Sequence, residues 1–304
     1  MTFERKPLKL IETRKIELPT HPISSINWMN TMMNGAISLL EQKLLSIPRG
    51  TKILECTYES PITTEYEENN VVRVRHYNSS DNSAVIVLPQ RGSGYSVSQL
   101  IASYLYTNGI SAYEIETPFH GSRLPKGMKS MCEIPMDLNR LKIMFSQAVT
   151  ETRGLIALLK EENIGIFGIS LGAIYASIVY GIEERVSKGC LVLGGGNFPD
   201  LILRSNDEFI RNIQKFVKES ELLYEDVRKE LEEIDPCNYT NPKKTKGLVM
   251  VNATQDKIVP EKNGQELRMA WNYPKQYLID ADHIGSIRFI PGLLSDLLVH
   301  YKCM

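Results

Sequence analysis

The sequence predicts an α/β protein with a mostly parallel central sheet, helices on both faces and an inserted helical cap. Short runs rich in β-branched and aromatic residues alternate along the chain with longer amphipathic stretches, as in a sheet of this kind. Two middle runs, 84–88 and 247–251, are apolar throughout, which is typical of strands buried on both faces. One segment, 197–242, contains two charged amphipathic stretches, 207–218 and 221–234, and no strand candidate between them. This segment predicts the cap.

The strand candidates are short segments of apolar, β-branched and aromatic composition. In chain order they are 52–58, 71–77, 84–89, 111–116, 164–169, 189–193, 247–252 and 276–279. The first two carry charged positions, which predicts an antiparallel edge of the sheet. The helix candidates carry apolar residues at spacings of three and four, and they lie at 97–107, 139–160, 171–180, 262–271 and 286–300.

One domain with an insertion is expected. A chain of 304 residues can bury a large core, and the strand–helix order covers residues 51–304. We interpret 197–242 as a helical cap inserted over the sheet. Its aromatic residues form either pocket walls or the core of the cap itself, and they are Phe198, Phe209, Phe216 and Tyr224. Residues 1–50 predict an N-terminal extension that is partly helical, with its helix at 28–45.

The composition favours small-molecule chemistry in the cytoplasm. Because 35 Lys+Arg balance 36 Asp+Glu, the basic excess of a nucleic-acid-binding protein is absent and no such partner is expected. The sequence contains neither an apolar leader of the signal-peptide kind nor the roughly 20 apolar residues that a membrane-spanning helix needs. The five cysteines lack the spacing of zinc ligands, which predicts a reducing compartment and no metal; they are Cys56, Cys132, Cys190, Cys237 and Cys303.

The sequence Gly168-Ile169-Ser170-Leu171-Gly172 matches G-x-S-x-G and stands between a strand candidate and a helix candidate. A serine on a strained strand-to-helix turn presents its hydroxyl at the carboxyl edge of the sheet, and the flanking glycines leave room for it. This context predicts that Ser170 is a nucleophile. Leu171, at the helix start, is then expected to offer its backbone N–H to a developing oxyanion. A tight glycine turn with an inert serine is the alternative.

A serine hydroxyl is a weak nucleophile, so it needs a base, and the base needs a third group to hold its tautomer. His283 directly follows the last strand candidate, and it is the predicted general base. Asp256 follows the penultimate strand candidate and is the predicted acid that orients His283. Asp280 and Asp282 are rival acids, but side chains so close in sequence to a histidine rarely reach its far nitrogen in line. Three histidines suit structural or solvent-facing roles, and they are His21, His76 and His300.

The ordered set of residues 168–172, 256–260 and His283 resembles the α/β-hydrolase superfamily, over roughly residues 50–304. The order serine, aspartate, histidine is the one that this fold uses. The resemblance implies the α/β-hydrolase fold and leaves the substrate open, since the fold hosts esterases, lipases, peptidases, dienelactone hydrolases, acyltransferases and inert relatives.

The resemblance also implies a second oxyanion donor in the loop after the strand candidate 84–89. The superfamily's common His-Gly pair is replaced here by Pro89-Gln90. By position, the donor is the backbone N–H of Arg91, with Gly92 as the alternate. An ordinary strand-to-helix loop without a role in catalysis is the alternative.

A further stretch, residues 118–125, resembles the Pro-[Phe/Tyr]-x-Gly-x-Arg-x-Pro loop of some dienelactone-hydrolase-like and acyl-hydrolase branches. Two roles are open for its His120 and Arg123. They contact a substrate carboxylate or phosphate, or they anchor the loop, with Arg123 donating hydrogen bonds to carbonyl oxygens.

The expected function is that of a serine hydrolase that cleaves a carboxylic ester or a related acyl bond of a small molecule. The reaction passes through an acyl-serine intermediate and needs no cofactor. Two alternatives remain open: a peptidase or C–C bond hydrolase with the same triad, and a catalytically silent binding protein of the same fold. The sequence leaves the oligomeric state open.

Overall fold

A nine-stranded sheet runs through the part of the chain that the computed structural model describes, which is residues 1–6, 8–17, 52–79, 82–92, 96–134, 136–220 and 222–304. In chain order the strands are β1 (Lys9–Glu17), β2 (Lys52–Glu59), β3 (Val71–Tyr77), β4 (Ser83–Leu88), β5 (Ser111–Ile115), β6 (Asn163–Ile169), β7 (Val186–Val192), β8 (Leu248–Ala253) and β9 (Lys275–Ile279). Their order across the sheet is β1-β2-β3-β5-β4-β6-β7-β8-β9.

Strand direction divides the sheet into two parts. Strands β1, β2, β3 and β5 pair antiparallel, whereas β5, β4, β6, β7, β8 and β9 pair parallel. The carboxyl ends of parallel strands meet at one edge, so the segments that follow β4, β6, β8 and β9 lie along a common edge, where ligands bind in open α/β sheets. The prediction of a mostly parallel sheet with an antiparallel edge is confirmed.

Helices cover both faces of this sheet. In chain order they are α1 (Ser96–Thr107), α2 (Leu138–Leu158), α3 (Leu171–Ile182), α4 (Phe198–Arg204), α5 (Glu208–Glu219), α6 (Tyr224–Glu232), α7 (Glu261–Ala270) and α8 (Ile290–Lys302). Within the described residues, no helix is both long and apolar enough to cross a membrane.

Strand β4 shows why an apolar run predicts a strand with helices on both faces of the sheet. Ile86 and Leu88 belong to a core cluster that contains residues of α2 and α3, whereas Val85 and Val87 belong to a second cluster with residues of α1 and α8. All four side chains are fully buried. Since successive strand residues point to opposite faces, a strand covered on both faces must be apolar at every position.

Among the described strands, β1 has no counterpart in the sequence prediction. It lies within residues 1–50 and pairs antiparallel with β2, from Lys9 opposite Glu59 to Glu17 opposite Lys52. Leu10 is 55% exposed, because β1 is the outermost strand of the sheet. An edge strand of this kind mixes charged and apolar residues without a buried face to mark it. The helix predicted at 28–45 lies outside the described residues.

Three helices, α4, α5 and α6, connect β7 to β8. The last two correspond to the amphipathic stretches 207–218 and 221–234. Helix α4 was not predicted, because its seven residues, FPDLILR, are mostly apolar and too few for a helical period to stand out. Phe198 and Leu201 are buried in the core that α2 and α3 share.

The last helix begins later than predicted. The expected helix at 286–300 opens as a 3-10 turn, Gly285–Phe289, and the α-helix α8 runs over Ile290–Lys302. Pro291 lies in its first turn, where the missing N–H has no intrahelical acceptor to lose.

Candidate active site

Ser170 lies on the turn between β6 and α3 in a backbone conformation that L-residues rarely adopt. Its φ is 52° and its ψ is −118°. Backbone hydrogen bonds hold this turn, since Ser170 N–H donates to the carbonyl oxygen of Val192 at 2.8 Å and Ala173 N–H donates to that of Ser170 at 2.9 Å. Strain of this kind persists only where the surrounding structure imposes it, and it is concentrated at functional sites.

The glycines of the motif are required by close backbone approaches. A Cβ atom on Gly168 would lie 2.4 Å from the carbonyl oxygen of Gly172. A Cβ atom on Gly172 would lie 2.4 Å from the carbonyl oxygens of Leu88 and Pro89. Both distances are well inside van der Waals contact. The second approach also packs the end of β4 against the start of α3, so the loop after β4 begins beside Ser170.

Three of the predicted site residues form a hydrogen-bonded row. His283 Nε2 lies 2.9 Å from Ser170 Oγ, and His283 Nδ1 lies 2.6 Å from Asp256 Oδ2. The side chain of His283 is 13% exposed and that of Asp256 is 1% exposed. When Nδ1–H donates to the carboxylate, Nε2 is left to accept the serine proton. The geometry therefore suits a serine hydroxyl activated by a neutral imidazole.

The second carboxylate oxygen of Asp256 holds the acid in place. Oδ1 accepts the backbone N–H groups of Ile258 at 2.8 Å and Val259 at 2.9 Å. These bonds fold the loop after β8 around the carboxylate and leave Oδ2 directed at His283. Asp256 is thus supported by its own loop before it meets the histidine.

The rival acids have other partners. Asp280 Oδ1 accepts hydrogen bonds from Thr254 Oγ1 at 3.0 Å and from Gln255 Nε2 at 2.8 Å. Asp282 Oδ1 accepts the backbone N–H of Gly285 at 2.6 Å. Both carboxylates therefore organise turns beside His283 and leave its ring to Asp256.

His76 and His300 have partners outside this row. His76 stacks on Tyr113, with 4.1 Å between the ring centroids, and burial lowers its pKa. His300 Nε2 lies 3.1 Å from the carbonyl oxygen of Gly189, and burial lowers its pKa to about 4. These contacts suit structural roles for His76 and His300. His21 lies outside the described residues.

The two predicted oxyanion donors belong to the start of α3 and to the loop after β4. Leu171 is the first residue of α3, and the first N–H groups of a helix have no intrahelical acceptor. Arg91, in the loop after β4, lines the same cavity as Ser170. Its guanidinium group forms an ion pair with Asp207 at the start of α5. The roles of the backbone N–H groups of Leu171 and Arg91 remain predictions.

A cavity of about 400 Å³ opens at Ser170 and His283, within the usual size range of small-molecule sites. Its walls are mainly apolar side chains from α2, α3 and the segment 197–242, including Phe145, Ile174, Phe198, Phe209, Ile210 and Ile213. Of the four aromatic residues noted in this segment, Phe198 and Phe209 line the cavity, whereas Phe216 packs against the core and Tyr224 is half exposed.

Neither a protein-family model nor a curated protein sequence matches this chain. Solved structures do. An acetyl xylan esterase from Paenibacillus sp. R4 is 15% identical with a TM-score of 0.64, over 90% of this chain and 95% of that one. Acetyl xylan esterase 1 from Thermoanaerobacterium sp. JW/SL YS485 is 12% identical with a TM-score of 0.62, over 94% of this chain and 99% of that one. An esterase from Pyrococcus furiosus is 20% identical with a TM-score of 0.51, over 79% and 90%. The chain has the α/β-hydrolase fold.

In this α/β-hydrolase fold, the loop at residues 118–125 follows β5, and Arg123 anchors it. The guanidinium group is completely buried and uses all five of its N–H groups. It donates to both carboxylate oxygens of Glu151, at 2.7 and 2.8 Å, and to the carbonyl oxygens of Asn69 and Glu116. Of the two roles considered for Arg123, the structure therefore supports the anchor.

His120 is buried beside this anchor. Its Nδ1 lies 2.7 Å from the carbonyl oxygen of Pro118, so Nδ1 carries the proton. Burial lowers the pKa of His120 to about 4, and the positive charges of Arg91 and Arg123 add to this effect. His120 is thus neutral at pH 7, and it lies outside the set of residues that line the cavity.

Replacing Arg123 with methionine is expected to lower the free energy of unfolding by about 3–5 kcal/mol, because the buried carboxylate of Glu151 would lose its positively charged partner. Denaturant titration measures this change. Arg228→Met, which removes an exposed pair with Glu232, is the control and should leave stability unchanged. A stable Arg123→Met variant with altered KM for anionic esters would instead assign Arg123 to substrate binding.

Apart from Phe198 and Phe209, for which pocket walls were one of two open roles, the sequence did not indicate the cavity walls, and it did not indicate the partner of Arg91. Asp207 is 116 positions from Arg91, and the sequence pattern marks it only as the start of an amphipathic stretch. Phe145 and Ile174 lie in helices that the sequence predicts from the spacing of their apolar residues alone. No local signal separates an apolar side chain that packs from one that lines a cavity.

Proposed function

We propose that this protein is a serine hydrolase that cleaves carboxylic esters of small molecules through an acyl-serine intermediate. The observation that carries the proposal is the row Ser170, His283, Asp256 opening onto an apolar cavity. A buried carboxylate, an imidazole of fixed tautomer and a strained serine are the parts that base-assisted acyl transfer requires. The esterases with a similar fold agree with this assignment.

In the first half of the reaction, Ser170 Oγ attacks the ester carbonyl carbon while His283 Nε2 takes the hydroxyl proton. Asp256 stabilises the imidazolium that forms. The backbone N–H groups of Leu171 and Arg91 hold the negative oxygen of the tetrahedral intermediate. The intermediate then expels the alcohol, which receives the proton from His283, and leaves the acyl group on Ser170.

In the second half, a water molecule takes the place of the alcohol. His283 Nε2 accepts a proton from this water as its oxygen attacks the acyl carbon. The second tetrahedral intermediate releases the carboxylic acid and returns the proton to Ser170. The same three side chains and the same two N–H groups serve both halves.

The cavity favours an aliphatic or aromatic acyl group over a charged one. Its walls at α4 and α5 include Phe198, Phe209 and Ile213, all at most 4% exposed. Transfer of each CH₂ group from water to such a surface contributes about 0.8 kcal/mol. We assign residues 197–242 as the cap that covers the acyl group and selects its length.

A panel of p-nitrophenyl esters of increasing acyl length tests the proposal, together with labelling by a fluorophosphonate. The protein is expected to hydrolyse members of the panel and to take up the label at Ser170. Failure to hydrolyse any ester, combined with failure to label, would contradict the proposed function.

Replacing Ile213 with phenylalanine is expected to shorten the acyl chain that the protein prefers. The larger side chain fills part of the cavity, so each CH₂ group that it excludes should lower kcat/KM by about fourfold. Hydrolysis of the acetyl ester should change little. The kcat/KM profile over the ester panel measures the effect.

Val227→Leu is the matched control, because Val227 is a buried residue of α6 that does not line the cavity. It should leave the chain-length profile at that of the wild type. An unchanged profile in Ile213→Phe would show that the acyl group binds elsewhere.

A further inference from the structure

An ion pair joins the loop after β4 to the start of α5, at the cavity that Ser170 also lines. Arg91 Nη2 pairs with Asp207 Oδ2, and Arg91 Nη1 lies 3.3 Å from Cys132 Sγ. The side chain of Arg91 is 25% exposed and that of Asp207 is 6% exposed. Both residues line the cavity. Because the surroundings are largely apolar, solvent screens this pair less than a surface pair.

The short segment 205–207 is also tied to the loop that holds Asp256. Ser205 Oγ donates to the carbonyl oxygen of Ile258 at 2.7 Å, and Asn206 N–H donates to that of Lys257 at 3.1 Å. Ile258 N–H in turn donates to Asp256 Oδ1 at 2.8 Å. We call residues 254–260, after β8, the acid loop, and residues 89–92, after β4, the oxyanion loop. Segment 205–207 therefore contacts the acid loop through two hydrogen bonds and the oxyanion loop through the ion pair of Asp207.

Hydrogen bonds to neighbouring residues of its own segment also hold Asp207 in place. Its Oδ1 accepts the backbone N–H groups of Phe209 at 2.9 Å and Ile210 at 3.3 Å, so it caps α5. Its backbone N–H donates to Ser205 Oγ at 3.1 Å. With Oδ1 committed to the helix, Oδ2 remains for Arg91.

The loop after β4, which contains Arg91, needs the restraint that this ion pair provides. Gly92 has a φ of 125°, a conformation open mainly to glycine, and glycine leaves the backbone free to rearrange. An oxyanion donor must stay within a few tenths of an ångström of its position, since a shift of about 1 Å can cost about 100-fold in rate. A charged side chain anchored at its far end restrains the adjacent peptide.

We propose that Asp207 is a positioning residue: through its ion pair with Arg91 it fixes the oxyanion loop, and through segment 205–207 it couples that loop and the cap to the acid loop. This inference rests on the proposed function. Asp207 touches no reacting atom and acts through Arg91. The cap therefore contributes to turnover as well as to substrate selection.

Asp207→Asn separates the two tasks of this side chain. Asparagine caps a helix about as well as aspartate, so α5 keeps its N-terminus, whereas the charge that holds Arg91 is lost. We expect kcat for the acetyl ester to fall by about 10- to 100-fold, with KM changing by less than about threefold. A short ester is used because it makes few contacts with the cavity walls.

Three further variants sharpen the test. Arg91→Met should lower kcat by a similar factor, and the double variant Arg91→Met with Asp207→Asn should cost no more than either single change, since the two residues act as one unit. Arg91→Lys, which keeps a positive charge, should retain more of kcat than Arg91→Met. Asp200→Asn is the matched control on the neighbouring helix α4, where Asp200 pairs with Arg204 and Lys262, and it should behave as the wild type.

Hydrogen–deuterium exchange gives a readout that does not depend on activity. In Asp207→Asn, the amides of residues 90–92 should exchange faster than in the wild type, while those of α5 should be unchanged. A wild type that neither hydrolyses esters nor labels with fluorophosphonate would contradict the proposed function, and the exchange result would still decide the coupling. An active wild type together with unchanged kcat and unchanged exchange in Asp207→Asn would overturn this inference alone. Lower stability with normal kcat would also overturn it, because the pair would then be purely structural.

Discussion

Replacing Ser170 with alanine is expected to abolish ester hydrolysis and leave the fold intact. The change removes one hydroxyl group that faces a cavity, so little packing is lost. Alanine adopts a φ of 52° with about the same strain as serine, and the backbone bonds of the turn remain. Without the hydroxyl no acyl-serine forms, and in a serine protease such a loss costs about 10⁶-fold in kcat.

Turnover of the best ester, fluorophosphonate labelling and thermal unfolding should be measured on the same preparation. Ser177→Ala, in the helix α3 that follows Ser170, is the control. Ser177 Oγ accepts a hydrogen bond from Trp271 Nε1 at 2.9 Å, in the interior of the protein. This variant should unfold at a lower temperature and keep its activity, the reverse of Ser170→Ala. Near-normal turnover in Ser170→Ala would reject the nucleophile assignment.

The fold was predictable from the sequence because its strongest signals are local. The run 84–88 is apolar at each position, since residues on both sides of β4 are covered by helices. The pattern of residues 168–172 carries its own explanation, because a side chain at Gly168 or Gly172 would collide with backbone. A segment that must be apolar, or a position that must be glycine, can be recognised from the sequence alone.

The elements that were not predicted, β1 and α4, have no such local sequence pattern. Strand β1 is an exposed edge whose pairing with β2 depends on a segment more than thirty residues away along the chain. Helix α4 is too short for a period of 3.6 residues to emerge. Their positions are determined by partners that are distant in sequence, and one chain read alone does not display those partners.

The same distinction applies within the candidate site. Ser170, Asp256 and His283 could be selected because each follows a predicted parallel strand, and carboxyl ends of such strands share an edge. The pairing of Arg91 with Asp207 could not be selected, because a charged residue at the start of an amphipathic helix is expected on solvation grounds alone. Topology brings the first set together, whereas the second contact depends on how the connection between β7 and β8 places Asp207 beside Arg91.

Replacing Asp256 with asparagine is expected to lower kcat by up to about 10⁴-fold, the loss that the equivalent change causes in a serine protease. The measurement is kcat for the best ester, with the unfolding temperature as a check on the fold. Asp280→Asn and Asp282→Asn are matched controls, because they change the same functional group on either side of His283. Both should stay within about tenfold of the wild type, since those carboxylates bond to Gln255 and to the backbone of Gly285 instead.

The reason for this difference lies in the proton on the imidazole. In Asp256→Asn, the amide oxygen can keep accepting the N–H groups of Ile258 and Val259, which holds the loop in place. The amide nitrogen then faces His283 Nδ1, where two donors would meet unless the ring proton moves to Nε2. A protonated Nε2 cannot accept the proton of Ser170, so the serine stays inactive although every heavy atom is in position. An equal or larger loss in Asp282→Asn would assign the acid to Asp282 instead.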